Sequence, residues 1–242
     1  MKTLQQAMQD RHECHGMDCL GVECAWPGVA TPAMAAHQSR MQTAGWRRWL
    51  VHAVLALLLV FSVAQFAHGA YIQAKAWLAQ VLIAQAWQQT LAGGNEVRPW
   101  GWADTWPVAK MSVPSQKQEI YVLAGSNGRT IAFGPGHVSG TALPGQVGNS
   151  VIGAHRDTHF AFLRYLQQGD EITLQDTQGR VARYRVTGHQ VVDKTDTWVM
   201  RQDRGARQLT LVTCYPFDAL TTGGRLRYMV TAEAVVEKNK NT

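Results

Sequence analysis

The hydrophobic pattern contains one strongly apolar segment near the N-terminal end of the chain. Residues 49–67 include no Asp, Glu, Lys or Arg. At about 1.5 Å per residue, a helix of this length crosses a hydrocarbon core of about 30 Å. Arg47 and Arg48 precede the segment, so the positive-inside rule puts the N-terminus in the cytoplasm and the chain after His68 outside. The pattern predicts a transmembrane signal-anchor over residues 46–68; a cleaved signal peptide is the alternative.

A second helix is predicted directly after this segment. Residues 71–92 are rich in Ala, Leu and Gln, contain no Gly or Pro, and stop at Gly93 and Gly94. Several glutamines and Lys75 make this stretch a poor transmembrane span, although a second crossing is the alternative. We therefore predict a juxtamembrane helix and an aromatic linker over residues 69–107, with the linker aromatics docked on the domain that follows.

Short β-type runs, separated by Gly, Pro and Asp turns, fill the chain from Lys110 onward. Eight such runs with little helical periodicity predict a mainly β domain, either a closed barrel or a sandwich, over residues 108–242. A short helix is expected at residues 158–166. The predicted strands are 109–113, 119–124, 129–133, 150–154, 171–175, 181–192, 208–213 and 226–236.

Residues 1–45 mix Cys, His, Met and Pro without periodicity and are predicted to be a cytoplasmic N-terminal segment. Met41 begins an ordinary signal-anchor opening, so a start at Met41 would explain this unusual stretch. A metal or redox site is the alternative, but the C-x4-C-x4-C spacing matches no common zinc site. Its ligands would be His12, Cys14, His15, Cys19 and Cys24.

Composition narrows the classes of function. The chain has 23 basic and 17 acidic residues, a net charge of +6, and 46% hydrophobic residues. This apolar fraction is sufficient for a packed core and excludes a wholly disordered chain. The mild positive charge forms no Lys/Arg cluster beyond Arg47 and Arg48, so no nucleic-acid partner is predicted.

Cys214 is separated from the other three cysteines, which lie near the N-terminus, so the four do not form a disulfide framework. It follows the apolar run LTLVT. Pro216 cannot continue a β-ladder, and the thiol is therefore predicted at the rim of the domain. Two interpretations follow from this position, a nucleophile or a small buried hydrophobic side chain.

A thiol nucleophile requires a base or a proton donor, usually a histidine. His155 ends the strand-like run SVIGAH and precedes a turn, so it resembles Cys214 in its strand-terminal position. Arg225 and Arg227 open the last predicted strand with the same side-chain parity, and both are suited to stabilise an oxyanion. The histidines of the domain are His137, His155, His159 and His189.

These residues together resemble the sortases, which are membrane-anchored cysteine transpeptidases built on an eight-stranded β-barrel. Residues 210–214 match the pattern T-L-x-T-C, a His-Arg-Asp lies upstream in VIGAHRDTHF, and an Arg begins the last strand. The resemblance covers roughly residues 105–236. The stretches 133–160 and 213–220 look most like the sortases of Gram-negative proteobacteria. One departure is Ala154, where many sortases have Gly directly before the His.

The resemblance implies a sortase-type barrel in which Cys214 is the nucleophile and His155 the general acid/base. Arg227 is the implied oxyanion-stabilising arginine because sortase arginines usually stand three or four residues before a strand valine. Arg225 is the alternative. Support for the substrate or the oxyanion is expected from two neighbours of the cysteine, Thr213 and Tyr215.

The implied reaction begins with cleavage of an LPxT-like C-terminal sorting signal in a partner protein through a thioacyl-enzyme. The acyl group then passes to an amine acceptor whose identity the sequence does not specify. The implied location is the bacterial inner membrane, with one transmembrane pass, a cytoplasmic N-terminus and a periplasmic catalytic domain.

No cofactor and no metal site are predicted. The Gly-rich segment 125–148 lacks the residue order of a phosphate-binding loop, and we interpret it as turns and a mobile loop over the substrate groove. The acidic residues of the domain follow no EF-hand-like pattern and are interpreted as solvated turns.

Two other functions remain open at this level. A related cysteine peptidase would use water as the acceptor and hydrolyse the same signals. A catalytically silent β-barrel would bind envelope peptides without cleaving them. The products formed with and without an amine distinguish the peptidase from a transpeptidase. The reactivity of the Cys214 thiol distinguishes the silent barrel from an enzyme.

Overall fold

The computed structural model describes residues 32–201, 205–219, 221 and 223–235, with side chains from residue 45 onward. The chain divides into two compact units, Met1–Gln65 and Phe66–Thr242. The five residues of the alternative metal site lie outside the described residues.

In its described part, the first unit consists of the N-terminal portion of helix α1, which spans Pro32–Leu91. Among the described residues, one helical stretch, Gly45–Leu91, is long and apolar enough to cross a membrane, and its most apolar part is fully exposed. Leu55, Leu58 and Phe61, for example, are each more than half exposed. Both segments predicted as helical therefore lie within α1.

The second unit contains a closed barrel of eight strands, in the order β1-β2-β3-β4-β7-β8-β6-β5. This confirms the predicted mainly β fold and selects the barrel over the sandwich. Neighbouring strands are antiparallel except for β2 with β3 and β4 with β7, which are parallel. The strands are β1 (Pro107–Val113), β2 (Gln118–Ala124), β3 (Gly136–His137), β4 (Gly148–Gly153), β5 (Glu171–Asp176), β6 (Val181–Asp193), β7 (Arg207–Tyr215) and β8 (Leu226–Ala234).

One predicted strand is wrong. Residues 129–133 belong to a short helix, α2 (Gly128–Phe133), although their β-branched and aromatic side chains favour strands. The Asn127 side chain accepts hydrogen bonds from the backbone N–H groups of Arg129 and Thr130, each 3.0 Å long. This N-cap satisfies two amide groups that a new helix leaves unpaired, and it therefore starts the helix against the local strand propensity.

The eighth strand is instead β3, which lies inside the Gly-rich segment predicted as turns and loop. It pairs with the end of β2, and Gly136 comes so close to the preceding chain that a Cβ there would collide with the Gly125 carbonyl oxygen. The strand therefore requires a glycine, a residue that weakens a strand signal in the sequence.

The C-terminal part of α1 packs an apolar face against the barrel. Ile83 and Trp87 are about 1% exposed, and the Trp87 ring centre lies 6.3 Å from that of Tyr121 on β2. The Gln80 side-chain amide donates a 2.7 Å hydrogen bond to the carbonyl oxygen of Phe133 at the end of α2. The last turns of α1 are thus part of the folded domain.

We expect Trp87→Ala to lower the free energy of unfolding by about 3–5 kcal/mol, because it leaves a large cavity between α1 and β2. Trp77→Ala is the matched control, since Trp77 lies on the same helix but is 69% exposed. Chemical denaturation of the full chain in detergent measures both. Equal losses for the two variants would contradict the packing described here.

The linker aromatics differ in their environment. The Trp100 ring lies edge-on to Phe133, with 5.0 Å between ring centres. Trp102 is 87% exposed. The prediction that the linker aromatics dock on the domain is confirmed for Trp100 and wrong for Trp102.

Candidate active site

Cys214 lies near the end of β7, on the face that points away from the barrel interior. Leu209 and Leu211 of the same strand belong to the core, and the two-residue period of a strand turns Cys214 to the opposite face. β7 ends at Tyr215, directly before Pro216, where the sequence predicts an end. The thiol is free and half-buried, so it belongs to a partly accessible rim rather than to the core.

Arg227 is the direct partner of Cys214 across the β7–β8 ladder. Opposite residues in an antiparallel pair project their side chains from the same face, with Cβ atoms about 4.5–5.5 Å apart. The Arg227 Nη1 atom donates hydrogen bonds to the carbonyl oxygens of Gly224 (2.7 Å) and Leu226 (2.9 Å). These bonds hold the guanidinium at the entry of β8.

Arg225, the alternative arginine, precedes β8 and makes an ion pair with Asp193. Its Nη2 atom lies 3.2 Å from Asp193 Oδ2, and its side chain is 79% exposed. Hydrogen bonds from the Thr195 backbone and hydroxyl, together with the charge of Arg225, hold the pKa of Asp193 below its usual value. The strand register therefore sets Arg227, rather than Arg225, opposite Cys214.

His155 follows the end of β4, the strand that neighbours β7. The two strands pair in parallel along β4, and the same register continued beyond its end brings His155 level with Cys214. Hydrogen bonds extend this contact, because the Ala154 N–H donates to the Val212 carbonyl (3.2 Å) and the Thr213 hydroxyl donates to the Ala154 carbonyl (2.8 Å). The His155 side chain is exposed.

The other histidines have different surroundings. His137 is buried in β3 and bonded to a loop carbonyl oxygen, and burial lowers its pKa. His189 on β6 stacks on Tyr228, with 5.8 Å between ring centres. Burial also lowers the pKa of His159, which stands in the turn after His155; a backbone hydrogen bond opposes this effect and the nearby His155 adds to it. His155 alone follows a strand end beside the cysteine strand.

A cavity of about 340 Å³ opens beside Cys214 and Arg227. Its walls come from β4, β7 and β8 and from residues 192–200, which include the end of β6 and a 3₁₀ helix, Thr197–Met200. His155 is not among its lining residues. We call this largely apolar cavity the groove. A groove lined by a thiol and a cation suits an extended peptide, because the cation can polarise a peptide carbonyl group. The apolar lining residues include Ile131, Val138, Val151, Val192, Val199, Met200 and Val212.

The Gly-rich segment 125–148 does not form the predicted loop over this groove. It contributes three residues to the cavity wall, one of them from α2. Most of residues 139–146 line a separate cavity of about 830 Å³. That cavity contains none of the predicted catalytic residues.

The sequence of the domain also matches a known family. A family model described as the sortase domain matches residues 111–235, a range that contains Cys214, His155 and both arginines. The chain belongs to the sortase family. In this sortase, seven barrel strands, the end of β1, the strand-terminal cysteine and the arginine opposite it fall inside the matched range.

Curated relatives agree with this assignment. The chain is 28% identical over 125 residues to sortase D of Bacillus subtilis (strain 168), which covers 52% of this chain and 62% of the relative. It is 28% identical over 137 residues to sortase A of Bacillus anthracis, covering 55% of this chain and again 62% of the relative. The alignments thus span less than two thirds of each relative.

Solved structures give the same fold. A Clostridium perfringens sortase D5 transpeptidase is 25% identical, with a TM-score of 0.50, covering 63% of this chain and 89% of that one. Sortase A from Corynebacterium diphtheriae is 24% identical with a TM-score of 0.51, covering 67% and 86%, and supports the fold alone.

Thr213 and Tyr215 flank the cysteine, and their side chains have different environments. Thr213 is buried, and its hydroxyl is bonded to the carbonyl of Ala154 beside His155. The Tyr215 ring stacks on Tyr228, with 6.1 Å between ring centres. Neither side chain has a hydrogen bond to Arg227 among those described. The expected support for the substrate or the oxyanion stays a prediction. The Thr213 hydroxyl instead links the end of β7 to the end of β4.

We expect Thr213→Val to lower the free energy of unfolding by about 1–3 kcal/mol, since the Ala154 carbonyl loses a buried hydrogen-bond donor while the side-chain volume is kept. Thr213→Ser retains the hydroxyl and should lose less. Urea denaturation of the full chain in detergent compares the two. A Val variant as stable as the wild type would show that the bond contributes nothing.

Two parts of this sortase site were missed in the sequence. Residues 194–200 form part of the cavity wall. In the sequence they show no periodicity, and together with the segment that leads to β7 they have the composition of an ordinary loop. Arg156, next to His155, is buried and bonded to the loop between β7 and β8. Its place in a His-Arg-Asp turn is the one available signal, since an arginine there is not needed for the turn.

Proposed function

We propose that this protein is a membrane-anchored cysteine transpeptidase that cleaves an LPxT-like C-terminal sorting signal and transfers the acyl group to an amine. The observation that carries the proposal is the pairing of Cys214 with Arg227 across β7 and β8, beside the groove. The strand register that brings His155 level with Cys214 supports it further.

In the first step, the Cys214 thiolate attacks the scissile carbonyl carbon, and a C–S bond forms while the C–O π electrons move to the oxygen. Arg227 and a backbone N–H near Tyr215 stabilise this oxyanion. The C–N bond then breaks, and the His155 imidazolium gives its proton to the departing amine. The products are a thioacyl-enzyme and the released C-terminal peptide.

In the second step, an incoming amine attacks the thioester carbonyl and loses its proton to the neutral His155. A new C–N bond forms, the C–S bond breaks, and the Cys214 thiolate returns. The His155 imidazolium is restored, so protons and charge balance over the cycle.

The location that we propose is the inner membrane of a Gram-negative bacterium, with the barrel in the periplasm. Support comes from the apolar, exposed stretch within Gly45–Leu91, from Arg47 and Arg48 before it, and from the likeness of residues 133–160 to proteobacterial sortases. Alkaline phosphatase fused after Thr242 should be active in cells; an inactive fusion would overturn this orientation.

The decisive experiment is intact-mass spectrometry of the full chain in detergent with a small library of LPxT-type peptides. We expect an added mass equal to the N-terminal part of one peptide, and its transfer to an added amine. Release only as free acid in the presence of amines would make the protein a hydrolase. No adduct from a folded protein whose thiol reacts with iodoacetamide would overturn LPxT specificity, and an unreactive thiol would favour a binding module.

A further inference from the structure

Arg156 is a buried arginine directly after His155. Only 4% of the residue is exposed, and its Nη2 atom donates 2.7 Å hydrogen bonds to the carbonyl oxygens of Ala219 and Thr221. Its Nε atom lies 3.1 Å from the largely exposed carboxylate of Asp157. The Nη1 atom is buried as well and has no partner among the described residues.

The two carbonyl groups belong to the loop between β7 and β8. This loop begins just after the strand that carries Cys214 and ends just before the strand that carries Arg227. One side chain therefore joins the turn of His155 to the segment that connects the other two predicted catalytic residues. No other described hydrogen bond joins residues 154–158 to residues 216–225.

The charge of Arg156 is difficult to explain by stability alone. Moving a guanidinium out of water is costly, and an apolar side chain of similar volume often serves a core equally well or better. The neighbouring Asp157 is 62% exposed at its side chain and compensates only in part. A planar guanidinium, however, presents several N–H donors in a fixed geometry, which suits it to hold two carbonyl groups in place.

We propose that Arg156 is a positioning residue that fixes the β7–β8 loop against the turn of His155 and so sets the imidazole relative to the Cys214 thiol. The kinetic consequence rests on the proposed transpeptidase function. The structural consequence, a loop held against the turn of His155 by Arg156, does not depend on any activity.

The structural consequence is tested by hydrogen–deuterium exchange of the full chain in detergent. Arg156→Met should raise amide exchange over residues 216–225 by about tenfold or more, while β1 and β5 keep their protection. Arg164→Met is the matched control, because Arg164 also bonds this loop, through the Phe217 carbonyl at 3.4 Å, but is exposed. Unchanged loop exchange in Arg156→Met would overturn the proposal.

The kinetic consequence is tested by a double-mutant cycle of acylation rates with a peptide that acylates the wild type. Arg156→Met should lower kcat by about 10²-fold with little change in KM, the size expected for an imidazole displaced by about 1 Å. In a His155→Ala background the same change should cost less than about threefold, because the two residues act as one unit. Arg156→Lys, which has one donor group, should have a kcat between those of the wild type and Arg156→Met. If Arg156→Met does not fold, Arg156→Lys replaces it in both tests.

Fully additive losses in the cycle would overturn the positioning role, and so would a rise in KM alone. If the wild type forms no adduct with any peptide, the proposed function fails, while loop exchange still decides whether Arg156 holds the loop. Faster loop exchange with an unchanged acylation rate would also overturn the proposal, since the contact of Arg156 with the loop would then not affect the position of the His155 imidazole.

Discussion

Cys214→Ala should abolish the thioacyl adduct completely, because the proposed reaction has no other nucleophile. Among the described residues Cys214 is the one free cysteine, and it lines the groove. The variant should keep the thermal unfolding temperature of the wild type within a few degrees, since the half-buried thiol at a strand end contributes little to the core. Intact-mass spectrometry and a melting curve on the same sample measure both effects.

The cysteines near the N-terminus provide an internal control for this experiment. A variant in which Cys14, Cys19 and Cys24 are all replaced by Ser retains Cys214 and should form the adduct at the wild-type rate. An adduct that survives in Cys214→Ala but disappears in the triple variant would show that an N-terminal cysteine is the nucleophile. That result would overturn the assignment of Cys214.

Arg227→Ala should lower the rate of acylation by about 10²–10³-fold, the usual effect of removing one oxyanion donor. The register of β7 and β8 sets Arg227 opposite Cys214, and its backbone contacts through Nη1 hold the guanidinium at the entry of β8. Because the oxyanion exists only after attack, the loss should appear in kcat rather than in peptide binding. Stopped-flow or quenched-flow acylation at saturating peptide measures it.

Arg225→Ala is the control for this prediction, since it removes the same charge two residues away. Arg225 is paired with Asp193 and is mostly exposed, and its loss should change the acylation rate by no more than a few-fold. A larger loss in Arg225→Ala than in Arg227→Ala would exchange the roles of the two arginines.

The fold was predictable from the sequence where its signals are local. The alternating apolar and polar side chains of residues 109–113 and the apolar run before Cys214 mark strands that the structure contains. α2 was not predictable from propensity because one Asn127 N-cap outweighs several strand-favouring side chains. β3 was missed because it is short and because its close contact with Gly125 requires glycine, the residue that usually marks a turn.

The candidate site was predictable in its residue types but not in its geometry. Cys214, His155 and Arg227 could be chosen from strand-terminal positions and from the resemblance to the sortases. Nothing in the sequence states that β4 neighbours β7, since β5 and β6 lie between them along the chain. The role of Arg156 depends on that long-range neighbourhood, and its bonds to residues 63 and 65 positions away leave no local pattern.

The parallel pairing of β4 with β7 also has a consequence for how the protein folds. The hydrogen bond from Thr213 to Ala154 joins residues 59 positions apart, so it forms only after a long loop of chain has been closed. A partly folded chain therefore has the Cys214 thiol without the proposed general acid/base, His155, beside it. The proposed cleavage of a peptide therefore requires closure of the barrel, and an incompletely folded molecule carries the thiol without the partners that the proposed reaction needs.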